Sequence, residues 1–197
     1  MSVKFCILFL SILATTGVLA QNASPTERYW WRKGNWTTNW DPNNAVIAGH
    51  QDENQVGTTL VYICRANHDG QKIPGTYLPD INQCAVTYQG SEIMFPDGFE
   101  TLKEDSPNAF NWLESSHGQL VNGSVVAGFS SNFEPFFICR ARIEDLQKNA
   151  VVLYAGKLQP TTRVCSIPWA GSEKSIDKYE VLQDPEYAPV EDVKYQR

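Results

Sequence analysis

The chain has 197 residues, a formal net charge of −6, 42% hydrophobic residues and 12% aromatic residues. This composition is typical of a folded protein that is large enough to bury a core, and it argues against intrinsic disorder. The acidic balance and the lack of a basic run argue against binding to nucleic acid or to acidic lipid surfaces.

The N-terminus predicts a secretory signal peptide over residues 1–20. Lys4 precedes a short apolar run over residues 5–14, and small residues lead to Ala20, where cleavage before Gln21 is plausible. No later apolar run reaches the roughly 18 residues that a membrane helix needs. We therefore expect a secreted protein without a membrane span.

Short runs of β-branched and aromatic residues predict strands along the chain, at residues 58–64, 85–88, 136–141 and 151–154. Turn dipeptides separate these runs, among them Asp69-Gly70, Gln89-Gly90 and Ala170-Gly171. No segment has a helical period of a dozen residues, although a helical turn fits around residues 108–113. The predicted class is all-β, with two similar antiparallel subdomains packed together.

Five motifs occur twice in the same order, offset by 75 to 81 residues. They are Val-x-Ala-Gly from Val46 and Val125, Ile-Cys-Arg-Ala from Ile63 and Ile138, a second cysteine at Cys84 and Cys165, Gly-Ser-Glu from Gly90 and Gly171, and aromatic-Glu-x-Leu from Phe99 and Tyr179. A repeat of this length indicates a duplicated subdomain. The predicted organisation is a Trp-rich segment (21–44), a first repeat (45–102), a connector (103–123), a second repeat (124–182) and an acidic tail (183–197).

Four cysteines remain once Cys6 leaves with the signal peptide, and they allow three pairings. The duplication favours one bridge within each repeat, Cys64–Cys84 and Cys139–Cys165. Three glycosylation sequons fit the same secreted setting, at Asn22, Asn35 and Asn122.

The chemistry of an enzyme is not evident in the chain. It has no Gly-x-Ser-x-Gly, no His-Glu-x-x-His and no Gly-x-Gly-x-x-Gly. It also has no Cys-x-x-Cys, and its three histidines lie far apart in sequence, which argues against a zinc site. We therefore predict a protein without catalysis, metal or cofactor.

The repeated motifs together resemble the DM9 repeat, which typically occurs as tandem pairs and is related to a module of natterin-type proteins. The resemblance also uses His68-Asp69-Gly70, Ile73-Pro74-Gly75 and Cys-x-Val-x-Tyr, and it covers residues 30–182. It implies a pseudo-twofold pair of β-rich repeats. It further implies a mannose-binding lectin of innate recognition that often forms a homodimer.

In the lectin members of that family, an acidic residue after the opening glycines and a lysine after the Pro-Gly turn hold the sugar. Such a pair suits charge-assisted hydrogen bonds to hydroxyl groups. This chain departs from the pattern, because Thr76 holds the lysine position of the first repeat and Ser130 the acidic position of the second. In the first repeat Asp52 or Glu53 supplies the acid. Four residues are predicted to bind sugar: Asp52, Lys157, His68 and Asp69.

Two repeated features carry a structural and a functional interpretation. Arg65 and Arg140 fit structural ion pairs, with Glu92 and Glu173 as the expected partners, or direct sugar contacts. The tryptophans fit the seam between the repeats or sugar stacking; they are Trp30, Trp31, Trp36, Trp40 and Trp112.

Two functions follow from these expectations. The first is a secreted carbohydrate-recognition protein for mannose-like glycans, with a role in innate immunity. The alternative is a secreted salivary or venom-type effector that binds a host protein through a surface unrelated to sugar.

Overall fold

The computed structural model describes residues 28–34, 42–53, 57–146 and 149–187. Within these ranges the regular structure is β-strand throughout, and no helix occurs, which confirms the all-β prediction. The predicted signal peptide, the sequons at Asn22 and Asn35, Trp36, Trp40 and the end of the acidic tail lie outside the described residues. Asn122, the asparagine of the third sequon, is exposed in the turn that precedes Ser124.

Fourteen strands form one continuous sheet. They are β1 (Tyr29–Lys33), β2 (Ile47–Glu53), β3 (Thr58–His68), β4 (Gln71–Leu78), β5 (Gln83–Tyr88), β6 (Ser91–Phe95), β7 (Phe99–Glu104), β8 (Asn111–Ser116), β9 (Val126–Phe129), β10 (Pro135–Asp145), β11 (Ala150–Leu158), β12 (Cys165–Trp169), β13 (Ser172–Ile176) and β14 (Lys178–Gln183). Every pairing between them is antiparallel.

The pairings close part of the sheet into a barrel. Strands β3 to β6 follow one another, β6 meets β13 through Ser91 and Ser172, and β13, β12 and β11 continue the order. Strand β2 then pairs with both β11 and β3, so it closes the circuit. The remaining strands extend it: β7 and β1 beyond β3, and β10, β14, β8 and β9 beyond β11.

The core follows from the alternation of buried and exposed positions along the strands. In β3, Val61 and Ile63 are fully buried in the larger cluster and alternate with Leu60, which is 45% exposed, and the half-buried Tyr62, whereas Cys64 is fully buried in the smaller cluster. The larger hydrophobic cluster draws on both halves of the chain, and a smaller cluster surrounds Cys64. Because the halves share their main core, they depend on each other for burial.

Both predicted disulfides are present. Cys64–Cys84 joins β3 to β5, and Cys139–Cys165 joins β10 to β12, each with Cα atoms 6.0 Å apart. Each bridge spans the strand that lies between its two partners, β4 or β11. The four cysteines are fully buried, which places both bridges inside the core.

One expectation about local organisation needs correction. The segment expected to form a helical turn around residues 108–113 runs into β8, because Trp112 and Leu113 pair with Leu182 and Val181 of β14. Between the two halves, β2 of the first pairs with β11 of the second, so strand pairing crosses from one half to the other.

Candidate functional site

Three of the four predicted sugar-binding residues lie near one end of β5. Lys157 Nζ on β11 donates a hydrogen bond to the carbonyl oxygen of Thr87 at 2.9 Å. The next residue, Tyr88, donates its hydroxyl hydrogen to the Asp69 carboxylate in the β3–β4 turn. The ring of Tyr88 also packs edge-on against His68, with centroids 4.6 Å apart. Lys157, His68 and Asp69 therefore contact consecutive residues of one strand.

The fourth predicted residue, Asp52, lies away from this group. It stands on β2 opposite Val151, and Lys157 is six residues further along β11. At about 3.3 Å per residue their separation along the strand is roughly 20 Å, so one sugar residue cannot contact both side chains. Asp52 instead lies 3.7 Å from His50 Nε2. The structure does not bring Asp52 and Lys157 into one site.

Lys157 is an unusually enclosed lysine. Its side chain is 12% exposed, its ammonium lies 3.8 Å from Glu173 Oε1, and the Phe136 ring centroid is 5.8 Å away. Burial lowers the pKa of Lys157, and the Glu173 carboxylate opposes that shift only in part. Lysines are rarely held this deep without a partner, and Glu173 is the acidic partner of Lys157.

Glu173 is itself held in place by a turn of the first half. Its Oε2 accepts a hydrogen bond from the Gly90 amide at 3.0 Å, and the backbone amide of Glu173 donates to Gly90 O at 3.0 Å. The matching contact runs the other way, since the Gly171 amide donates to Glu92 Oε2 at 2.6 Å. The carboxylate beside Lys157 is thus fixed by both repeats rather than by one.

Thr87 adds an unusual polar group to the same place. The residue is fully buried, and its Oγ1 has no hydrogen-bond partner within the described part of the chain. A buried hydroxyl without a partner is unfavourable and uncommon in folded proteins. Thr87 contacts Lys157 through its carbonyl oxygen and not through this hydroxyl.

The repeated arginines form ion pairs, but not with the expected partners. Arg65 Nε lies 2.6 Å from Glu100 Oε2, and Arg140 Nε lies 2.7 Å from Glu180 Oε2. The structural interpretation of the arginines is therefore confirmed, whereas Glu92 and Glu173 are the wrong partners. Glu100 and Glu180 come from the aromatic-Glu-x-Leu motif, which lies on the strands that pair next to the arginines. Pairing across neighbouring strands, and not sequence proximity, decides these contacts.

Each arginine also connects the two halves and lies against a tryptophan. Arg65 donates to Ala127 O at 2.8 Å, and Arg140 donates to Ala48 O at 3.2 Å, so each reaches the Val-x-Ala-Gly strand of the other half. The guanidinium of Arg65 lies 3.9 Å from the Trp31 ring centroid, and Arg140 lies 4.3 Å from that of Trp112. These two tryptophans shield the ion pairs, and Trp30 is 40% exposed.

Acid is expected to weaken the fold through Glu100. Burial raises the pKa of Glu100, but hydrogen bonds from Lys72 and Arg65 outweigh burial and leave that pKa below its usual value. The ionised carboxylate therefore stabilises the fold above the pKa of an unfolded glutamate, and this contribution is lost as pH falls through the lowered pKa.

We predict that Glu100→Gln lowers the free energy of unfolding at pH 7 by about 1–3 kcal/mol. The variant should also lose less stability than wild type between pH 7 and pH 3. Denaturant unfolding at both pH values measures the two effects. Glu114→Gln, at an exposed position of β8, is the control. An acid-induced loss in Glu100→Gln as large as that of wild type would contradict this account of the ion pair.

The chain belongs to the DM9 repeat family, whose model matches residues 55–176. No curated protein matches the sequence.

Among solved structures, the chain is similar to the nematode sperm cell motility protein MFP2B, with a TM-score of 0.52 and 12% sequence identity. The match covers 82% of this chain and 47% of that chain, so the present chain spans about half of its structural relative. At this identity the likeness concerns the fold alone.

Two further findings apply to the described residues. Among those residues, no helix has the length and hydrophobicity that a membrane span requires. The same ranges hold no group of three or more His, Cys, Asp and Glu side chains that could hold a metal ion.

Lys157, His68 and Asp69 were predicted from the sequence, whereas their neighbours Thr87, Tyr88 and Glu173 were not. The repeated Gly-Ser-Glu motif contained a signal for Glu173, which was assigned to the arginines instead. No pattern in the sequence distinguishes Thr87 from any other buried strand residue.

Proposed function

We propose that this protein is a secreted, non-enzymatic carbohydrate-recognition protein that binds a mannose-like sugar at Lys157. The observation that carries the proposal is the enclosed pair of Lys157 and Glu173, in which Lys157 also donates a hydrogen bond to the carbonyl oxygen of Thr87. Membership of the DM9 repeat family supports it, because a lysine at this position binds sugar in lectins that the motifs resemble.

The chemistry of this group suits a ligand with adjacent hydroxyls. An ammonium has three N–H donors, and the contacts of Lys157 with Thr87 O and Glu173 leave a donor for a ligand. The Glu173 carboxylate accepts hydrogen bonds, so the pair can donate to one sugar hydroxyl and accept from the next. Such charge-assisted bonds are stronger than neutral ones, especially in a partly buried setting.

We further propose that the two repeats are related by a pseudo-twofold axis and carry one sugar site between them. Matched contacts support the relation, namely the two disulfides, the Arg65 and Arg140 ion pairs, and the reciprocal bonds of Glu92 and Glu173. Lys157 has no lysine counterpart in the first repeat. Thr76 follows Gly75 as Lys157 follows Gly156, and it is fully buried and donates to Ala155 O at 2.8 Å. A single weak site would gain avidity from a homodimer.

Replacing Lys157 by methionine tests the sugar site. We expect Lys157→Met to weaken mannose binding by about tenfold or more, since a charge-assisted hydrogen bond contributes roughly 1.5–3 kcal/mol. Isothermal titration with methyl α-mannoside measures the affinity. Lys174→Met is the matched control, because Lys174 is an exposed lysine of β13, next to Glu173.

Two outcomes separate the proposal from its alternatives. Retained binding in Lys157→Met, with both variants folded, would remove Lys157 from the site while leaving a lectin elsewhere on the surface. A wild-type protein that is folded and shows no affinity for any sugar would contradict carbohydrate recognition itself.

A second function, binding of a host protein through a non-sugar surface, has one structural observation in its favour. Phe133 is 86% exposed in the β9–β10 turn, and Leu146 is 91% exposed after β10. Aromatic side chains such as Phe133 are enriched at protein–protein interfaces relative to the rest of the surface. Loss of cell-surface binding in Phe133→Ser, with unchanged glycan binding, would support this second function.

A further inference from the structure

A cleft of about 260 Å³ lies beside the Arg65–Glu100 ion pair. It is formed where β1, β3, β4 and β7 meet, and four of its lining residues are charged: Lys33, Arg65, Lys72 and Glu100. Three cations therefore face one carboxylate, a formal excess of two positive charges in a chain that carries a net charge of −6. The cleft shares no residue with the Lys157 group.

The Glu100 carboxylate accepts hydrogen bonds from only some of the N–H donors of Arg65 and Lys72. Glu100 Oε2 receives both Arg65 Nε at 2.6 Å and Lys72 Nζ at 2.9 Å. Arg65 has five N–H donors, and its hydrogen bonds with Glu100 and Ala127 O use two of them. The side chains of Arg65 and Lys72 are 16% and 33% exposed, so solvent screens their charges less than it screens surface charges.

Lys33 adds the third cation from the neighbouring edge strand. It stands directly opposite Glu100 in the pairing of β1 with β7, and it is exposed at the end of β1. Within the described ranges, the Lys33 side chain forms no hydrogen bond or ion pair. It can therefore turn toward a ligand without breaking a contact of the fold.

The corresponding cleft in the second half provides an internal comparison. That cleft, of about 590 Å³, surrounds the Arg140–Glu180 pair. In the pairing of β8 with β14, Glu114 lies opposite Glu180. In the equivalent pairing of β1 with β7, Lys33 lies opposite Glu100. Leu153 lines the second cleft and lies two residues before Ala155, which pairs with Arg140. Lys72 lies two residues before Pro74, which pairs with Arg65, so Leu153 and Lys72 hold equivalent positions. The second half therefore has the equivalent ion pair without a lysine at either position.

We propose that the smaller cleft binds an acidic sugar, whose sulfate or carboxylate group is held by Arg65, Lys72 and Lys33. Arginine presents a planar set of donors that matches an oxyanion, and the lysines add charge. The volume exceeds the needs of a bare ion, because one water occupies about 30 Å³ in the liquid. It lies just below the range of roughly 300–1,000 Å³ for drug-sized ligands, which suits a single sugar ring with its acidic group.

The test is an NMR titration of the disulfide-intact protein at low salt. The probes are N-acetylglucosamine 6-sulfate, glucuronic acid, N-acetylglucosamine and inorganic sulfate. We expect saturable shifts at Arg65 and Lys72 with at least one acidic sugar, and none with neutral N-acetylglucosamine. Lys72→Leu, which copies the second half, should weaken that binding by about tenfold. Raising the salt concentration should weaken it further.

The controls keep this proposal separate from the proposed mannose site. Lys178→Leu removes an exposed lysine that lines the second cleft, and it should bind the acidic sugar as wild type does. Should Lys72→Leu not fold, the exposed Lys33→Glu provides the same test. Equal affinity for inorganic sulfate and both acidic sugars would overturn the sugar assignment. Equal binding by wild type, Lys72→Leu and Lys33→Glu would overturn the site, and Lys157→Met should leave it intact.

Discussion

Replacing Cys139 and Cys165 together by alanine is expected to lower the free energy of unfolding by about 3 kcal/mol. The bridge closes a loop with a sequence separation of 26, and the loss follows from the extra entropy of the unfolded chain. For a chain of this size the melting temperature should fall by roughly 6–12 °C. Because both cysteines are fully buried, the small cavities left by alanine add to the loss.

The second bridge provides the comparison for this prediction. Cys64–Cys84 has a sequence separation of 20, so the same double replacement should produce a nearly equal loss. Denaturant unfolding of the wild type and of both double variants measures the two effects. A double variant whose midpoint matched that of the wild type would mean that its bridge does not restrict the unfolded chain.

The Gly128→Ala variant is expected to lose about 3 kcal/mol or more. A Cβ at Gly128 on β9 would lie 2.0 Å from the carbonyl oxygen of Lys72 on β4. The obstacle is backbone in the other half, so no side-chain rotation can relieve it. Gly49 is placed in the same way, since its Cβ would lie 2.1 Å from Leu153 O on β11.

A nearby substitution isolates this effect. Val126→Ala changes a 37% exposed residue of the same strand and should alter the free energy of unfolding by less than about 1 kcal/mol. Thermal melts of Gly128→Ala, Gly49→Ala and Val126→Ala provide the measurement. If Gly128→Ala melted within a degree of Val126→Ala, the close approach of β9 to β4 would be incorrect.

The sequence was sufficient to predict the all-β class and both disulfides. Short runs of β-branched and aromatic residues between turn dipeptides indicate strands, and the duplication selects one cysteine pairing from three. The pairing of β2 with β11 was not predictable in the same way. The hydrophobic pattern of a single strand fits several neighbours, so the partners of β2 are decided by the closure of the whole sheet.

That crossover explains why the candidate site was predicted only in part. Lys157 was predicted from the resemblance to the DM9 repeat, because it follows Gly156 as the sugar-binding lysine of the lectin members follows a Pro-Gly turn. Asp52 could not be placed relative to it, because β2 pairs with β11 some distance before Lys157. Glu173 was recognised as repeated but assigned to the arginines, since the contact between the two Gly-Ser-Glu turns depends on the pairing of β6 with β13.

The most direct test of carbohydrate recognition is a glycan-array screen of the disulfide-intact protein. The proposed function predicts selective binding to glycans with exposed mannose, and the array signal should be strongly reduced in Lys157→Met but not in Lys174→Met. A blank array from protein that melts cooperatively and retains both disulfides would contradict the proposal.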